Sequence, residues 1–229
     1  MKTIGLIGGM SWESSAAYYR IINEEVKKRL GGLHSAKCIL YSVDFDEIER
    51  YQANGQWEQA GQLLGNVACS LESAGADFII ICTNTMHKVT DAIEENIHIP
   101  ILHIADATAR EIKKAEIKRI GLLGTKYTME QDFYKSRVEK NGIQVLVPGA
   151  IDREMVNEII FKELCLGQIL ESSKEKYKQV MNRLIDEGAE GIILGCTEIG
   201  LLIKPEDSKV PLFDTAVIHA MEAVNRALE

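Results

Sequence analysis

Two stretches of similar sequence decide the fold: "GADFIIICTNTMH" at 75–87 and "GAEGIILGCTEIG" at 188–200. Each has a glycine, then a short apolar run, then a row of small and hydroxyl residues. Continuous apolar runs of this length, rich in Ile and Leu, are typical of buried parallel strands. Each stretch therefore predicts a strand that ends in a polar loop, just before a helix begins.

The same repetition is found on both sides of these stretches. "TIGLIGGMSWESS" (3–15) resembles "RIGLLGTKYTMEQ" (119–131), and "IPILHIADATARE" (99–111) resembles "VPLFDTAVIHAME" (210–222). Three matches in the same order, at a nearly constant offset, indicate a duplicated lobe. The alternative is that α/β units resemble one another generally, since each has an apolar strand, a glycine turn and a helix.

Short apolar runs predict four strands in each half, at 3–7, 38–43, 77–82, 101–103, 119–123, 143–147, 190–195 and 211–213. Helical patterns separate them, such as 57–75 and 153–167, which end at Gly75 and Gly167, good C-cap residues. This alternation predicts an α/β fold of two pseudo-symmetric, open parallel-sheet, Rossmann-like lobes. We expect residues 1–103 plus 213–229 in the first lobe and 104–212 in the second, with a last helix at 215–228.

Composition excludes several classes of protein. Hydrophobic residues make up 46% and charged residues 26%, as in soluble globular proteins, and the net charge of -8 argues against a nucleic-acid or anionic-membrane partner. No apolar run approaches the ~20 residues of a membrane span, and the start lacks the features of a signal peptide. Five cysteines without a CxxC pair suit a reducing cytoplasm, where we expect the protein to act. The histidines show no metal-ligand spacing, so no metal is expected.

Four loops are candidates for binding a ligand, because ligands of open parallel sheets bind beyond the carboxyl ends of the strands. They are "GGMSWE" (8–13), "CTNTMH" (82–87), "GTKYT" (124–128) and "GCTEIG" (195–200). Each precedes a predicted helix, whose free N–H groups suit an anion. "GLIGGM" does not match GxGxxG, and there is no Walker A motif, so no nucleotide cofactor is expected. We expect the active site in the cleft between the two lobes.

Aligning the two central loops pairs Cys82 with Gly195 and Thr83 with Cys196. Cys82 is then the last strand residue and points to the face opposite Thr83. Cys196 stands just before a helix, a place expected to lower the pKa of a thiol. The other cysteines are interpreted as small buried residues: Cys38, Cys69, Cys82 and Cys165. His87 is either a structural residue or part of the site.

The motifs "GLIGGMSWESS", "CTNTMH", "GLLGT" and "GCTEIGLL" together resemble the aspartate/glutamate racemase superfamily, over essentially the whole chain. The resemblance implies a homodimer without a cofactor, acting on a small amino-acid substrate. It also implies two cysteines that flank the substrate's α-carbon and exchange a proton across it. Here Thr83 takes the place of the first cysteine, so Cys196 is expected to be the thiol base and Thr83 a weak opposing donor. A thiol pKa of ~8.5 can be tuned toward neutrality, whereas a threonine hydroxyl does not ionise near pH 7.

The resemblance implies residues that hold the substrate: Met10, Ser11, Asn84, Thr85, Thr125, Thr128 and Thr197. Gln52 and Glu198 are added as substrate-binding candidates from their places in the sequence. Glu198 is expected near the substrate amine, or else is a favourable charge in a first helical turn. Aspartate or glutamate is the expected substrate. A broad-specificity racemase is the alternative, because the region after the second strand offers only Arg50 or Gln52 to the distal group. A single-cysteine decarboxylase or isomerase of small diacids and a non-catalytic binding protein are further alternatives.

Overall fold

The computed structural model describes residues 1–229, which form two compact units, 1–104 with 219–229 and 105–218. The first unit contains β1 (Ile4–Gly8), α1 (Trp12–Leu30), β2 (Cys38–Ser42), α2 (Phe45–Ala53), α3 (Trp57–Ser73), β3 (Phe78–Ile81) and α4 (Thr90–Glu94). Its sheet has the order β2-β1-β3 with all strands parallel. A parallel bridge between Ile79 and Ile101 extends the sheet beyond β3.

The second unit contains most of α5 (Ile104–Lys114), then β4 (Arg119–Gly124), α6 (Lys126–Glu130), α7 (Asp132–Glu139), β5 (Gln144–Leu146), α8 (Ala150–Lys162), α9 (Glu171–Asp186), β6 (Gly191–Gly195), α10 (Ile199–Leu202) and β7 (Leu212–Asp214). Its parallel sheet has the order β5-β4-β6-β7. The bridge at Ile101 in the first unit corresponds to β7 here, so the two sheets share one topology.

The α/β fold with parallel sheets, predicted from the repeats, is confirmed. Strands form where the sequence has continuous apolar runs, because every residue of β1, β3 and β6 is buried. Fully burying an Ile or Leu side chain stabilises the fold by about 1.5–3 kcal/mol, so these strands form the centre of each core.

The helix α3 shows how the sequence sets the bounds of an element. Its apolar stripe is buried, including Leu64, Ala68 and Leu71. The helix ends at Ser73, two residues before the predicted end, and Gly75 takes a φ of 96° that favours glycine. α8 begins at Ala150 and ends at Lys162, and a short 3-10 turn (Leu164–Leu166) fills the remaining predicted stretch as far as Gly167.

The unit bounds fall at 104/105 and 218/219, against 103/104 and 212/213 expected from the sequence. The second bound lies later because β7 pairs with β6 through residues 212–214 and so stays with the second unit. It falls inside the last helix, α11 (Thr215–Leu228), whose bounds match the predicted 215–228. No helix has both the length and the apolar character needed to cross a bilayer.

Candidate active site

The strand registers place Thr83 and Cys196 at equivalent points of their own sheets. In the first unit Ile7 of β1 pairs with Ile81, and in the second Leu123 of β4 pairs with Leu194. The motifs "GLIG" and "GLLG" put Ile7 and Leu123 at matching places. The residue two places beyond each paired β3 or β6 residue is Thr83 in one unit and Cys196 in the other.

Cys196 lies against an acid in the loop after β6. Its side chain is only 8% exposed, and its Sγ donates to Oε2 of Glu198 at 3.0 Å. The Thr197 hydroxyl donates to the same oxygen at 2.8 Å. Glu198 is itself buried, so a carboxylate shared by a thiol and a hydroxyl stands at the end of the strand. Such a carboxylate can accept the thiol proton.

The surroundings of Cys196 raise its thiol pKa well above the ordinary value. Burial is the main cause, and the charge of Glu198 adds to it. The expectation that the helix start lowers this pKa was therefore wrong for the thiol as it lies here. α10 has only four residues, Ile199–Leu202, so its dipole is too small to offset the burial.

Two neighbours of Cys196 carry no signal in the sequence. Tyr177 of α9 is fully buried, its hydroxyl donates to the carbonyl of Val156 at 3.3 Å, and burial together with Cys196 raises its pKa well above the usual value. Cys165, in the turn after α8, is half-buried and contributes to the raised pKa of Cys196. From the sequence, Cys165 is interpreted as a small buried residue, because nothing in its spacing links it to Cys196.

The loop after β3 is built differently. The carbonyl of Thr83 accepts a hydrogen bond from Nδ1 of His87 at 2.8 Å, and Nε2 of His87 accepts one from the backbone N–H of Ile104 at 3.2 Å. These partners assign the ring proton to Nδ1. Burial, helped by His103 and His219, holds the pKa of His87 well below its usual value. His87 therefore fixes the Thr83 backbone through its ring nitrogens, which favours the structural interpretation of this residue.

Cys82, directly before Thr83, is fully buried. Burial raises the pKa of its thiol strongly. Its carbonyl accepts a hydrogen bond from the Ser14 hydroxyl at 2.8 Å, which ties the end of β3 to the start of α1. Cys82 is thus a core residue, and the partly exposed side chain at this strand end is that of Thr83.

The other loops hold the hydroxyl residues expected at the substrate. Ser11 is the N-cap of α1, where its Oγ accepts from the N–H of Ser14 at 3.3 Å, and Met10 beside it is also buried. Thr125 is the N-cap of α6, and its hydroxyl lies 3.1 Å from that of the fully buried Thr128. Both hydroxyl groups therefore hold the loop after β4 in shape.

A family model described as Asp/Glu/hydantoin racemase matches residues 7–223 of this chain. The chain belongs to the Asp/Glu/hydantoin racemase family. It is therefore a racemase, an isomerase that inverts a stereocentre.

Three relatives resemble this racemase over essentially their full length. A crystal structure of a candidate Asp/Glu racemase from Yersinia pestis is 60% identical, with all of both chains covered and a TM-score of 0.94. The structure of an aspartate racemase homologue from Pyrococcus horikoshii OT3 is 39% identical, again with full coverage of both, and has a TM-score of 0.87. The broad-specificity amino-acid racemase RacX of Bacillus subtilis (strain 168) is 24% identical, with 98% of each chain covered.

Gln52 and Arg50, the two candidates after β2 for binding the substrate side chain, point in different directions. Gln52 is buried, and its Nε2 lies 3.0 Å from Sδ of Met86, in the turn (Thr85–Val89) that follows Asn84. Arg50 is exposed, with its Nε 3.3 Å from Oδ2 of Asp46. The structure therefore brings Gln52, and not Arg50, to the buried loop after β3, where Asn84 and Thr85 are buried as well.

Three histidines of the racemase meet beneath this loop. The rings of His87 and His103 lie 4.5 Å apart, and those of His87 and His219 lie 5.7 Å apart. Tyr18 bonds to Nδ1 of His219 at 2.9 Å, and Nε2 of His219 bonds to the carbonyl of Leu102 at 2.7 Å. No three His, Cys, Asp or Glu side chains form a group that could hold a metal ion.

Proposed function

We propose that this racemase acts on aspartate or glutamate without a cofactor, with Cys196 as the thiol base and Thr83 as the opposing group. The observation that carries the proposal is the Cys196–Glu198 pair, 3.0 Å apart, at the place equivalent to Thr83 in the duplicated sheet. A racemase needs a proton acceptor on one face of the α-carbon and a donor on the other. Of the two equivalent residues, only Cys196 carries a titratable side chain.

Glu198 supplies what the buried thiol lacks. Because burial raises the pKa of Cys196, few thiolates form through exchange with water alone. Glu198 accepts the thiol proton across the 3.0 Å hydrogen bond, and the resulting thiolate takes the substrate's α-proton. Thr197 donates to the same carboxylate and fixes its orientation. In this proposal Glu198 acts through Cys196, and its binding of the substrate amine stays a prediction.

Thr83 makes the reaction unequal on the two faces. Its hydroxyl can pass a proton from water, but it does not accept one near pH 7. His87 cannot assist, because both of its ring nitrogens bond to backbone groups. The enantiomer whose α-hydrogen faces Cys196 should therefore exchange quickly and the other slowly. The final ratio of enantiomers remains one to one, because a catalyst does not change an equilibrium.

Gln52 supports a broad-specificity racemase as the second candidate. A buried arginine would favour a substrate with a distal carboxylate, but Arg50 is exposed and paired with Asp46. The amide of Gln52 can donate to a carboxylate and can also bond to an amide or a hydroxyl. On this candidate, neutral amino acids exchange at rates comparable to aspartate and glutamate.

The test is α-proton exchange. The dialysed protein is incubated in deuterated water with chelator and one L- or D-amino acid at a time, and the α-proton signal is followed by NMR. Loss of the signal for aspartate or glutamate alone supports the proposal, and loss across neutral amino acids supports broad specificity. Release of carbon dioxide from a malonate without any exchange would make the protein a decarboxylase. Absence of both reactions, or exchange only with added pyridoxal phosphate, would refute the proposal.

A further inference from the structure

The two units differ four residues after the Thr83 and Cys196 positions. The first unit has His87 there, and its ring lies 4.5 Å from that of His103. The second unit has Gly200, and the matching strand-end residue is Asp214 in place of His103. Gly200 carries no side chain, and an open cavity of about 430 Å³ lies beside it. A Cβ at Gly200 would clash with Oδ2 of Asp214, so the Asp214 carboxylate packs against this glycine where the first unit has the ring of His87.

The wall of this cavity is mostly apolar. Leu194 of β6, Ile203 after α10, Phe213 of β7 and Val217 of α11 contribute to it. Val217 is 41% exposed, so the cavity is reached from outside. Its volume lies within the ~300–1,000 Å³ typical of small-molecule sites.

Two charged side chains, Asp214 and Lys204, line the cavity, and the charge of Lys204 acts on Asp214 although no hydrogen bond joins them. Oδ1 of Asp214 accepts from the N–H groups of Ala216 and Val217, at 3.0 and 3.2 Å, while its Oδ2 accepts no hydrogen bond. Nζ of Lys204 donates one bond, to the carbonyl of Gly200 at 2.7 Å, and the ammonium has further protons to give. The two side chains form no ion pair with each other.

We propose that this cavity is a second amino-acid site, which binds an α-amino acid with an apolar side chain as a zwitterion. The ligand's ammonium pairs with Oδ2 of Asp214, its carboxylate pairs with the Lys204 ammonium, and its side chain lies against Ile203 and Phe213. Each charged group of the cavity gains the partner that it lacks, through a charge-assisted hydrogen bond. Glu111 does not compete for the ligand's ammonium, because it pairs with Lys114 at 2.6 Å. Cys196 does not line this cavity, and the inference does not depend on the proposed racemase mechanism.

The test is calorimetric titration with L-phenylalanine and, separately, L-leucine. The variants Asp214→Asn and Lys204→Met each remove one charge, and Asn at 214 still accepts the two backbone hydrogen bonds. Each should weaken binding at least ~10-fold, since a hydrogen bond to a charged group contributes more than an ordinary one. The exposed neighbours give matched controls, and Glu206→Gln and Lys209→Met should bind as the wild type does.

Ligand analogues test the same site without any variant. Phenethylamine lacks the carboxylate and phenylacetate lacks the ammonium, so each should bind wild type at least ~10-fold more weakly than L-phenylalanine. Thermal unfolding checks that the variants are folded. The inference is overturned if neither amino acid binds, if either analogue binds as tightly as L-phenylalanine, or if folded Asp214→Asn binds as wild type does. The last outcome would place the ligand elsewhere, for example at Cys196.

Discussion

The loops after β3 and β6 lie at equivalent places in two sheets of the same topology, yet they carry different functional groups. The second loop has a thiol and a carboxylate in one hydrogen bond, Cys196 with Glu198. The first has a hydroxyl, Thr83, whose carbonyl accepts from a histidine that is held neutral, His87. The comparison teaches that a duplicated backbone can keep its register while the side chains at equivalent positions come to differ in whether they can titrate.

The largest expected effect comes from removing the thiol. Cys196→Ala should lower α-proton exchange by about 10²–10⁴-fold, the usual contribution of a general acid–base group. Exchange is measured by NMR in deuterated water. Cys82→Ala is the matched control from the first unit, because it removes a buried thiol at the adjacent strand position. Normal exchange by folded Cys196→Ala, or an equal loss in Cys82→Ala, would contradict the assignment of the two loops.

The next largest effect comes from removing the charge of Glu198 beside Cys196. Glu198→Gln keeps the shape but removes the charge that raises the pKa of Cys196, so alkylation of Cys196 by iodoacetamide should begin at lower pH. Exchange should nevertheless fall by about 10²-fold, because the acceptor of the thiol proton is lost. The readouts are the pH profile of alkylation and the rate of exchange. Glu206→Gln, on an exposed turn, should change neither. An unshifted alkylation profile in Glu198→Gln would contradict the proposal that Glu198 acts on the Cys196 thiol.

A smaller effect comes from making the two loops alike. Thr83→Cys places an ionisable group at the position equivalent to Cys196, and the rates of exchange from the L- and D-substrates should approach each other. We expect the slower enantiomer to gain about 10-fold, less than a full acid–base contribution, because sub-ångström placement matters. Initial deuterium incorporation from each enantiomer measures the ratio, and Thr83→Ser should leave it unchanged. Equal, fast rates in wild type would mean that Thr83 is no handicap.

The neutral histidine of the first loop should make the fold sensitive to acid. The pKa of His87 is depressed in the folded state, so below the unfolded pKa of ~6.5 the unfolded chain binds a proton that the folded chain does not. Stability is therefore full above this pH and should fall by about 1.4 kcal/mol per pH unit below it. Urea unfolding at several pH values measures the slope. His87→Gln should flatten it, whereas the exposed His34→Gln should keep the wild-type slope.

The smallest expected effect concerns the two residues after β2. Arg50→Ala should leave KM within about two-fold, since exposed ion pairs such as Arg50–Asp46 contribute little. Gln52→Ala should raise KM several-fold, because the buried amide lies at the turn after Asn84. Steady-state kinetics with aspartate and glutamate distinguish them. A large rise in KM for Arg50→Ala alone would mean that Arg50, and not Gln52, binds the side chain of the substrate.

The sequence was sufficient for the fold because buried parallel strands such as β1, β3 and β6 leave continuous apolar runs. All seven strands lie within or at the edges of such runs. The sequence also showed that Thr83 and Cys196 occupy equivalent positions, because the two repeats keep the same spacing. It could not show that His87 is held by the backbone of Ile104, since a main-chain partner leaves no pattern in the sequence. Nor could it show the raised pKa of Cys196, which depends on burial and on the orientation of Glu198.

The glycine before Cys196 has a consequence for exchanging the two loops. A Cβ at Gly195 would meet the carbonyl of Leu123 at 2.8 Å, so the backbones of β4 and β6 leave no room for a side chain there. Transplanting "CTNTMH" into the second unit would force a cysteine into that space. The reverse transplant meets no such obstacle at Cys82, although it would leave the N–H of Ile104 without the ring of His87. Each loop therefore fits the backbone of its own unit. A protein engineer would find it easier to place the second loop in the first unit than the first loop in the second unit.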